Sequence, residues 1–539
     1  MTLAQILRYA VCFLGGCLVA FGEGGFAPPL GQPDLLLNAT RVAEIRQTAM
    51  TDPLMMRLLR GLRLRADAYL TNAPLRYEAN DLHLMTQARL MVAQTLTWGV
   101  MQRLTGDERY AAAARAALLQ AAVFPRWFVK DYLRAGEMSF AVALGYNWFG
   151  DGMTGEQKRL VRAALVRNTL IHATDAYAQP PGAESKFPWR AFGDQDTAFN
   201  NHSQICNAGF LATALVMQDA EPALAQTVFS NAPTSLRRPM AWFAPDGVWP
   251  EGPTYWRYGL VYNVLAIALL GQMPDSGDEL AAMPGFGRTL DYGRHIFGPT
   301  GMSFNYSDGG PARDHAIGAG GELAWLAHRF GREDMLPLLR DRLANHLNQT
   351  FTPGETSAIN DRFLALSALW FPGHATPPPP AEPLDAHFKG AAEVVSLRSA
   401  WGDAQALWIA MKTGRNGLPH SNLDLGGFVF ESSGVRWGIE LGSDNYALPK
   451  YWQDEEGGTR WTYFRCNNHG QNTPEIDGTL QAARGEAAIV AFASRPDRAF
   501  AVADLTNAYP GRAARVLRGV AMIDRRRVLI QDEIHGGHP

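Results

Sequence analysis

Three short stretches of the sequence concentrate side chains that can carry out acid–base chemistry. The first, PEGPTYWRYG at 250–259, places two tyrosines, a tryptophan and an arginine between turn residues that predict the end of a loop, with helix resuming at about Tyr258. The second, NNHSQICNAG, puts Asn201 and His202 at the predicted start of a helix, where the positive end of the helix dipole stabilises an anionic group. The third, PHSNLD, puts His420 in a polar loop. Because phenols and imidazoles transfer protons in enzymes, these stretches are candidates for a working surface.

Each stretch also has a purely structural explanation. Asparagine is a good N-cap, so Asn201 and His202 fit a plain helix start. Aromatic residues at the beginning of a helix pack into cores, and we assign Trp256 to packing. A single histidine in a polar loop, such as His420, is most often solvated. The functional interpretation therefore depends on whether the fold brings the stretches together.

The elements that must position these stretches change type along the chain. From about Asp34 to Trp370, apolar residues recur with helical spacing, as in 89–104, 108–123 and 155–174. The helices follow one another as hairpin-like pairs, which favours an α/α toroid over a bundle. After the prolines of HATPPPPAEPLDAH, the pattern alternates with period two in roughly six segments, which predicts an antiparallel β-sandwich.

We therefore expect four segments. Residues 1–25 combine Arg8 with an apolar run too short for a membrane span, as is typical of a signal peptide. An α/α toroid is expected over 31–372, a proline-rich linker over 373–386 and a β-sandwich over 387–539. The sequence stops just after a predicted strand, where a large sandwich would continue, so we expect a truncated product.

Composition and cysteine usage narrow the class of protein. The formal net charge of −3 predicts binding neither to nucleic acid nor to a membrane surface. The signal peptide predicts an exported protein, periplasmic or secreted, with a lipoprotein anchor at LGGC as a minor alternative. Two of the four cysteines lie in that segment. Cys206 and Cys466 are expected to be buried free thiols, with an inter-domain disulfide as the alternative.

The order of the motifs resembles that of the heparinase II/III-like polysaccharide lyases, to which toroid-plus-sandwich alginate and oligoalginate lyases are related. The resemblance is carried by NNHSQICNAG, PDGVWPEGPTYWRYG, GPTGMSFNYSDGG, PHSNLDLGGFVFES with the later IELG, and QNTPEIDG, and it runs from about residue 35 to the end. It implies β-elimination at a uronic acid. That reaction neutralises the C6 carboxylate, removes the C5 proton and protonates the C4 oxygen as it leaves.

The resemblance also implies roles for residues of this chain. Asn201 and His202 match the pair that neutralises the carboxylate, the histidine as a protonated donor. Tyr258 is expected as the catalytic tyrosine, with Tyr255 as the second choice. His420 is expected to reach from the sandwich into the cleft as a base or substrate-binding partner. The residues expected to bind substrate are Arg257, Gln204, Glu251, Tyr446 and Tyr451.

This chain departs from one feature that the resemblance implies, a metal site. Relatives often carry H-x-H-x-D and a later HNT, with a metal held by the second histidine, an acidic residue and the HNT histidine. Here Asn422 and Gln471 stand at the two histidine positions. Glu440 fits the acidic ligand, and His469 is two residues out of register. Because amides are poor zinc ligands, we expect a lost or weakened zinc or calcium site, replaced by a hydrogen-bonded cluster. No cofactor is expected for the chemistry.

Two other functions remain open. Helical toroids also host glycoside hydrolases with paired carboxylates, for which the candidates are Asp246 with Glu251 and Asp194 with Asp196. A catalytically weak carbohydrate-binding relative is the third hypothesis. The expected partner of a lyase is an anionic polysaccharide or oligosaccharide.

Overall fold

The computed structural model describes residues 34–178, 201–273, 277–310, 320–373 and 382–536. Within these ranges the helices end at Trp370 and the strands begin at Ala386. The expected order of a helical toroid followed by an antiparallel β domain is confirmed. The predicted signal peptide, most of the proline-rich linker, and Asp194 with Asp196 lie outside the described residues.

The helical part begins with a long series of paired helices. In chain order they are α1 (Ala39–Thr51), α2 (Pro53–Tyr69), α3 (Asp81–Thr105), α4 (Glu108–Val123), α5 (Leu133–Phe149), α6 (Gly155–Leu165), α7 (Ile171–Ala178), α8 (Asn201–Met217), α9 (Pro222–Ala241) and α10 (Gly252–Leu270). A π-helical turn, Val166–Leu170, joins α6 to α7. Shorter helices follow: α11 (Asp278–Ala281), α12 (Thr289–His295), α13 (Gly321–Arg329), α14 (Leu336–Leu347), α15 (Glu355–Asn360) and α16 (Leu364–Trp370).

The paired helices alternate between an inner and an outer ring. Helices α3, α5, α8 and α10 are buried on nearly all sides, as their apolar sequences require, whereas α4, α6 and α9 bury one face. The inner helices pack on one another, α3 on α5, α5 on α8 and α8 on α10. At the α5–α8 contact, a Cβ on Gly209 would lie 2.4 Å from the Gly136 carbonyl oxygen, so only glycine fits. Among the helices of the described ranges, none is both long and apolar enough to cross a bilayer.

The β domain is one folded antiparallel sheet. Its strands are β1 (Ala386–Phe388), β2 (Ala392–Arg398), β3 (Trp408–Arg415), β4 (Phe428–Ser432), β5 (Val435–Gly438), β6 (Glu486–Ser494), β7 (Arg498–Asp504), β8 (Arg515–Ile523) and β9 (Arg527–His535). The strand order is β1-β2-β3-β6-β7-β8-β9, with β4 on β3 and β5 on β4. Residues of β2 and β3 share one apolar core with β7 and β8, so the sheet folds over itself as a sandwich. The described part of the chain contains nine strands, whereas the period-two pattern predicted roughly six. Strands β1 and β8 are among those that were not predicted.

The loop that follows α12 fastens the two domains together. Ser396 of β2 donates to the His295 carbonyl oxygen at 3.2 Å, and Arg436 of β5 donates to the Ser303 carbonyl oxygen at 2.6 Å. Farther along the same loop, Asp308 donates its backbone N–H to the His420 carbonyl oxygen at 3.0 Å. These bonds hold the loops of the β domain against the start of α10, where the site lies.

Candidate active site

A cleft of about 1100 Å³ lies between the helical domain and the loops of the β domain. Both domains contribute side chains to its wall. The residues expected from the sequence that line it are Asn201, His202, Tyr255, Arg257, Tyr258, His420 and Tyr446. The three stretches that could carry chemistry are therefore brought together, although they are far apart in the sequence.

Helix α10 presents both tyrosines to this cleft. The sequence predicted that the helix would resume at about Tyr258, but it already begins at Gly252, because proline is tolerated in a first turn. Gly252 has a φ of +84°, and a Cβ there would lie 2.3 Å from a backbone oxygen. Tyr255 and Tyr258 are consequently three residues apart on one helical face. Trp256 points inward and donates to Thr289 at 2.7 Å, which confirms its packing role.

Tyr255 stacks on His420. The two ring centroids are 4.0 Å apart with an interplanar angle of 17°. The Tyr255 hydroxyl lies 2.6 Å from that of Tyr446, which in turn lies 3.4 Å from His420 Nδ1. Burial raises the pKa of the Tyr255 phenol well above its ordinary value, so it carries its proton at neutral pH. The Tyr446 hydroxyl thus connects the protonated phenol of Tyr255 to the imidazole, and such a chain of contacts can pass a proton.

His420 is held in a strained backbone conformation. Its φ of +60° lies in the left-handed region, which is uncommon outside glycine and asparagine. Its Nδ1 lies 3.1 Å from Asp308 Oδ2. Asp308 is fixed in turn, because Oδ1 accepts hydrogen bonds from Arg460 at 2.9 Å and from Tyr451 at 2.8 Å. Burial alone would raise the pKa of Asp308, but the bonds from His420 and Arg460 hold it below its usual value. Tyr451, expected to bind substrate, instead supports this carboxylate.

A second carboxylate, Glu251, faces His420 from the helical domain. Glu251 is fully buried, and its Oε2 accepts hydrogen bonds from Trp249 Nε1 at 3.0 Å and from the Asn201 backbone N–H at 3.2 Å. Its Oε1 lies 3.6 Å from His420 Nε2 and has no hydrogen-bond partner in the described part of the chain. Burial raises the pKa of Glu251 to about 7. This residue was expected to bind substrate, but the structure places it behind the cleft wall, between α8 and His420.

Asn201 and His202 begin helix α8 at the opposite wall. The Asn201 side-chain amide nitrogen is buried and makes no hydrogen bond within the residues that the structure describes. Burial, with smaller electrostatic contributions from His420 and Arg134, lowers the pKa of His202 to about 3. The imidazole is therefore uncharged at neutral pH, in contrast to the protonated donor expected from the sequence. Both residues can act as neutral hydrogen-bond donors at a helix N-terminus.

Tyr258 lies deeper on the same helix and is engaged elsewhere. Its hydroxyl donates to Glu137 Oε1, and Tyr262 donates to Glu137 Oε2 at 3.1 Å. The guanidinium carbons of Arg89 and Arg362 lie 5.3 and 5.5 Å from the Tyr258 ring centroid. Burial, reinforced by the Glu137 charge, raises the pKa of Tyr258 well above its ordinary value. This phenol is bonded to a buried carboxylate, whereas that of Tyr255 is in contact with the imidazole.

Of two further residues expected to bind substrate, Arg257 lines the cleft and Gln204 does not. Arg257 lines the cleft, and its Nε donates to Glu322 Oε1 at 3.1 Å. Gln204 is fully buried and lies behind α10, so close that a Cβ on Gly259 would be 1.8 Å from its Oε1. Gln204 therefore packs between helices and does not line the cleft.

At the expected metal site, Glu440 and Gln471 form a hydrogen bond to each other. Glu440 Oε1 accepts from Gln471 Nε2 at 2.9 Å, and Oε2 accepts from Asn305 Nδ2 at 3.1 Å and from the Gly442 backbone N–H at 2.6 Å. Burial raises the pKa of Glu440 well above its usual value. In the described ranges, no group of three or more His, Cys, Asp or Glu side chains is arranged to hold a metal ion.

The other two members of that expected site form hydrogen bonds with residues other than Glu440. Asn422 donates from Nδ2 to the Ser307 carbonyl oxygen at 3.1 Å and accepts on Oδ1 from Arg460 at 3.2 Å. His469 Nδ1 lies 3.0 Å from Glu475 Oε2 on the surface. Asn422 thus helps to fix the loop that carries His420. The two cysteines, Cys206 and Cys466, are buried free thiols, as expected.

Sequence reasoning did not find several residues that build the site. Asp308 lies inside the quoted motif GPTGMSFNYSDGG, where its acidic type was the available signal. Arg460, Glu137 and Trp452 lie outside every quoted motif. Trp452 lines the cleft, is 55% exposed, and its ring meets that of His420 edge-on at 5.4 Å. An exposed tryptophan at a cleft wall provides an apolar face against which a sugar ring can pack.

The fold, a helical toroid followed by an antiparallel β domain, is also found in solved heparinase and heparan sulfate lyase structures. Solved structures that share the fold include two of heparinase III, with TM-scores of 0.53 and 0.55, and heparan sulfate lyase HepC from Pedobacter heparinus, with 0.50. The first heparinase III structure is 14% identical and matches 82% of this chain and 62% of its own. The second is 12% identical and matches 96% of this chain and 73% of its own. HepC is 13% identical and matches 94% of this chain and 79% of its own. No family model and no curated protein matches the sequence. At these identities the likeness establishes a heparinase-like fold, which confirms the resemblance seen in the motif order.

Proposed function

We propose that the protein is a polysaccharide lyase that cleaves a uronic-acid-containing glycan by β-elimination. One observation carries the proposal: Tyr255 stacks on His420 in the cleft that Asn201 and His202 also line. The reaction needs a neutralised carboxylate, a base and an acid within reach of one sugar, and this cleft offers side chains suited to each requirement. The N-terminal segment supports the further proposal that the protein is exported.

Carboxylate neutralisation falls to Asn201 and His202. The Asn201 amide nitrogen makes no hydrogen bond with any residue that the structure describes, and His202 is uncharged because of its low pKa, so both bind an anion through neutral N–H groups. The N-terminus of α8 adds its partial positive charge. Hydrogen bonds that strengthen as the carboxylate gains enolate character lower the barrier to removing the C5 proton.

The proton transfers fall to His420 and Tyr255. In the tautomer we propose, Nδ1–H donates to Asp308 and leaves a lone pair on Nε2 to take the C5 proton. The electron pair of that C–H bond forms the C4–C5 double bond, and the bond from C4 to the leaving oxygen breaks. The protonated Tyr255 donates its proton to that oxygen. No cofactor enters these steps.

We choose Tyr255 over Tyr258, the residue favoured by sequence spacing, on the basis of their contacts. The Tyr255 hydroxyl is linked to His420 through Tyr446, which gives the phenolate a route to recover a proton. The Tyr258 hydroxyl is bonded to a carboxylate that is buried and paired with arginine. A phenol in that position stabilises the carboxylate rather than a leaving oxygen.

The hydrolase hypothesis has less support. Asp246 forms an ion pair with Arg288 and accepts from the Lys389 backbone N–H at 2.9 Å. Neither Asp246 nor Glu251 lines the cleft, so this pair does not face a substrate there. Two carboxyl groups on either side of a glycosidic bond are what a hydrolase requires.

Ultraviolet absorbance tests the proposal directly. The protein is incubated with alginate, heparan, chondroitin, hyaluronan and glucuronan, and both absorbance and reducing ends are followed. A lyase produces an absorbing unsaturated uronate with every new reducing end. Reducing ends without absorbance would establish a hydrolase, and binding without products would establish a carbohydrate-binding protein.

The matched variants Tyr255→Phe and Tyr258→Phe then assign the acid. Each removes one hydroxyl from the same face of α10. Tyr255→Phe is expected to lower kcat at least about a hundredfold, the usual contribution of a positioned proton donor. Tyr258→Phe is expected to retain most of its turnover. The reverse result would return the role to Tyr258.

A further inference from the structure

The arginines of the cleft outnumber the carboxylates that neutralise them. Three arginines each have a carboxylate of their own: Arg65 with Asp361, Arg134 with Asp131 and Arg257 with Glu322. The remaining two, Arg89 and Arg362, share Glu137. Among the described residues that line the cleft, the unbalanced positive charge therefore lies beside Tyr258.

The two arginines beside Glu137 stay partly accessible, with the side chain of Arg89 29% exposed and that of Arg362 14% exposed. Arg89 Nε lies 3.1 Å from Glu137 Oε1, but Arg362 Nε lies 3.6 Å from Oε2 and makes no hydrogen bond within the described residues. Tyr258 and Tyr262 already donate to Glu137. Although burial alone would raise it, the two guanidiniums hold the pKa of Glu137 below its usual value, so one negative charge faces two positive ones. Both arginines line the cleft.

This positive pair lies a defined step away from the proposed acid. Tyr258, which the two arginines flank, follows Tyr255 by three residues on α10, which is about 4.5 Å along the helix axis. A sugar whose C4 oxygen is at Tyr255 therefore has its neighbour in the chain close to the arginines. This distance is short enough for one sugar of a glycan to contact Tyr255 while the adjacent sugar contacts the two arginines.

We propose that Arg89 and Arg362 form a subsite for the acidic group of the sugar next to the uronate that is cleaved. This proposal rests on the proposed function. A guanidinium binds a carboxylate or a sulfate by charge-assisted hydrogen bonds, and both ligands share that chemistry. The preferred substrate accordingly carries an acidic group on both sugars that flank the broken bond.

Three sets of tetrasaccharides test this specificity. The first carries a uronate on every sugar, the second alternates uronate with a sulfated amino sugar, and the third alternates uronate with a neutral amino sugar. For the wild-type protein, kcat/KM on the first or second set is expected to exceed that on the third at least about tenfold, the effect of one charge-assisted hydrogen bond. Which acidic set is preferred distinguishes carboxylate from sulfate. Equal values on all three sets would overturn the proposal.

Two arginine variants locate the preference. Arg89→Gln removes one charge from the unbalanced pair, and it is expected to reduce the preference to about threefold or less through KM, with kcat little changed. Arg134→Gln is the matched control, because it removes a cleft arginine that has its own carboxylate. Equal losses in both variants on all three sets would contradict the assignment. If Arg89→Gln does not fold, Arg89→Lys takes its place and is expected to keep a preference, because it retains the charge.

Binding separates a failure of the subsite from a failure of the proposed function. If the wild-type protein cleaves none of the tetrasaccharides, the lyase proposal fails, and titration calorimetry at low salt with the same compounds still tests the subsite. Tighter binding of an acidic set, lost in Arg89→Gln and kept in Arg134→Gln, would support it. Cleavage without preference would leave the lyase proposal standing and overturn the subsite.

Discussion

The buried carboxyl of Glu251 makes a quantitative prediction about stability. Burial raises the pKa of this group from 4.5 to about 7. A group with a raised pKa contributes stability that is fully present below its unfolded pKa and is lost as the pH rises through its folded pKa. The shift corresponds to about 3 kcal/mol, so the folded protein is penalised by up to that amount once Glu251 is ionised above about pH 7.

Glu251→Gln removes this ionisation and nearly preserves the shape. The substituted amide keeps an oxygen to accept from Trp249 and from the Asn201 backbone. Near pH 4, below the unfolded pKa of 4.5, Glu251 is mostly uncharged in both the folded and the unfolded protein, so any difference between wild type and variant there measures the change in hydrogen bonding. Near pH 8, the free energy of unfolding of the variant is expected to exceed that of wild type by up to about 3 kcal/mol more than it does at the lower pH.

Denaturant unfolding followed by tryptophan fluorescence measures the effect at the two pH values. Glu279→Gln is the control, because Glu279 is exposed and its ion pair with Arg237 lies on the surface. Its difference from wild type is expected to change little with pH. If Glu251→Gln shows the same difference from wild type at both pH values, Glu251 is not the buried ionisable group described above and the reasoning is refuted.

Three further changes probe the surroundings of the site. Tyr258→Phe removes a donor to the buried Glu137 and is expected to lower the free energy of unfolding by about 1–3 kcal/mol, measured by denaturant titration. Asp308→Asn weakens the hydrogen bond that supports His420 and is expected to lower kcat more than it raises KM. The variant's loss in free energy of unfolding should be larger near pH 7 than near pH 3. The reason is that the low pKa of Asp308 contributes stability to the wild type that is lost as the pH falls. Gly259→Ala inserts a methyl group between α8 and α10 and is expected to lower the free energy of unfolding by about 1–3 kcal/mol.

Each change has an outcome that would contradict it. Gly310→Ala is the control for Gly259→Ala, since a Cβ at Gly310 meets no described residue within 4 Å, and equal effects would show that the helix contact is loose. Wild-type stability in Tyr258→Phe would mean that the arginines alone satisfy Glu137. An Asp308→Asn protein with unchanged kcat would show that His420 does not depend on this carboxylate.

Much of the fold could be predicted from local pattern. The apolar spacing of 108–123 and the alternation of 486–494 coincide with α4 and β6. Thr154 caps α6 in a capping box with Gln157, and threonine just before a helix is a favoured N-cap. Such features depend on residues that are close in sequence, so they can be predicted from a single sequence.

The start of α10 shows where local pattern failed. The prolines and glycine of PEGP indicated a loop, yet the helix begins at Gly252. The close approach of the Tyr306 carbonyl oxygen occupies the space where a Cβ would be. That contact comes from a loop distant in sequence, so no local rule could report it.

The sequence alone determined the types of side chain at the candidate site and the elements that carry them. Asn201, His202, Tyr255 and His420 could all be named from their motifs, because hydrogen-bonding capacity belongs to each residue wherever it lies. Their charge states could not be named in the same way. His202 is neutral because the folded protein buries it.

Only the tertiary structure distinguishes the surroundings of the two tyrosines. Tyr255 and Tyr258 share one face of one helix, so their sequence positions are nearly equivalent. The difference lies in what the rest of the chain brings to each ring: an imidazole from the β domain to the first, and a buried carboxylate with two arginines to the second. Proton transfer depends on contacts of a few ångströms between residues far apart in sequence, and those contacts exist only after folding.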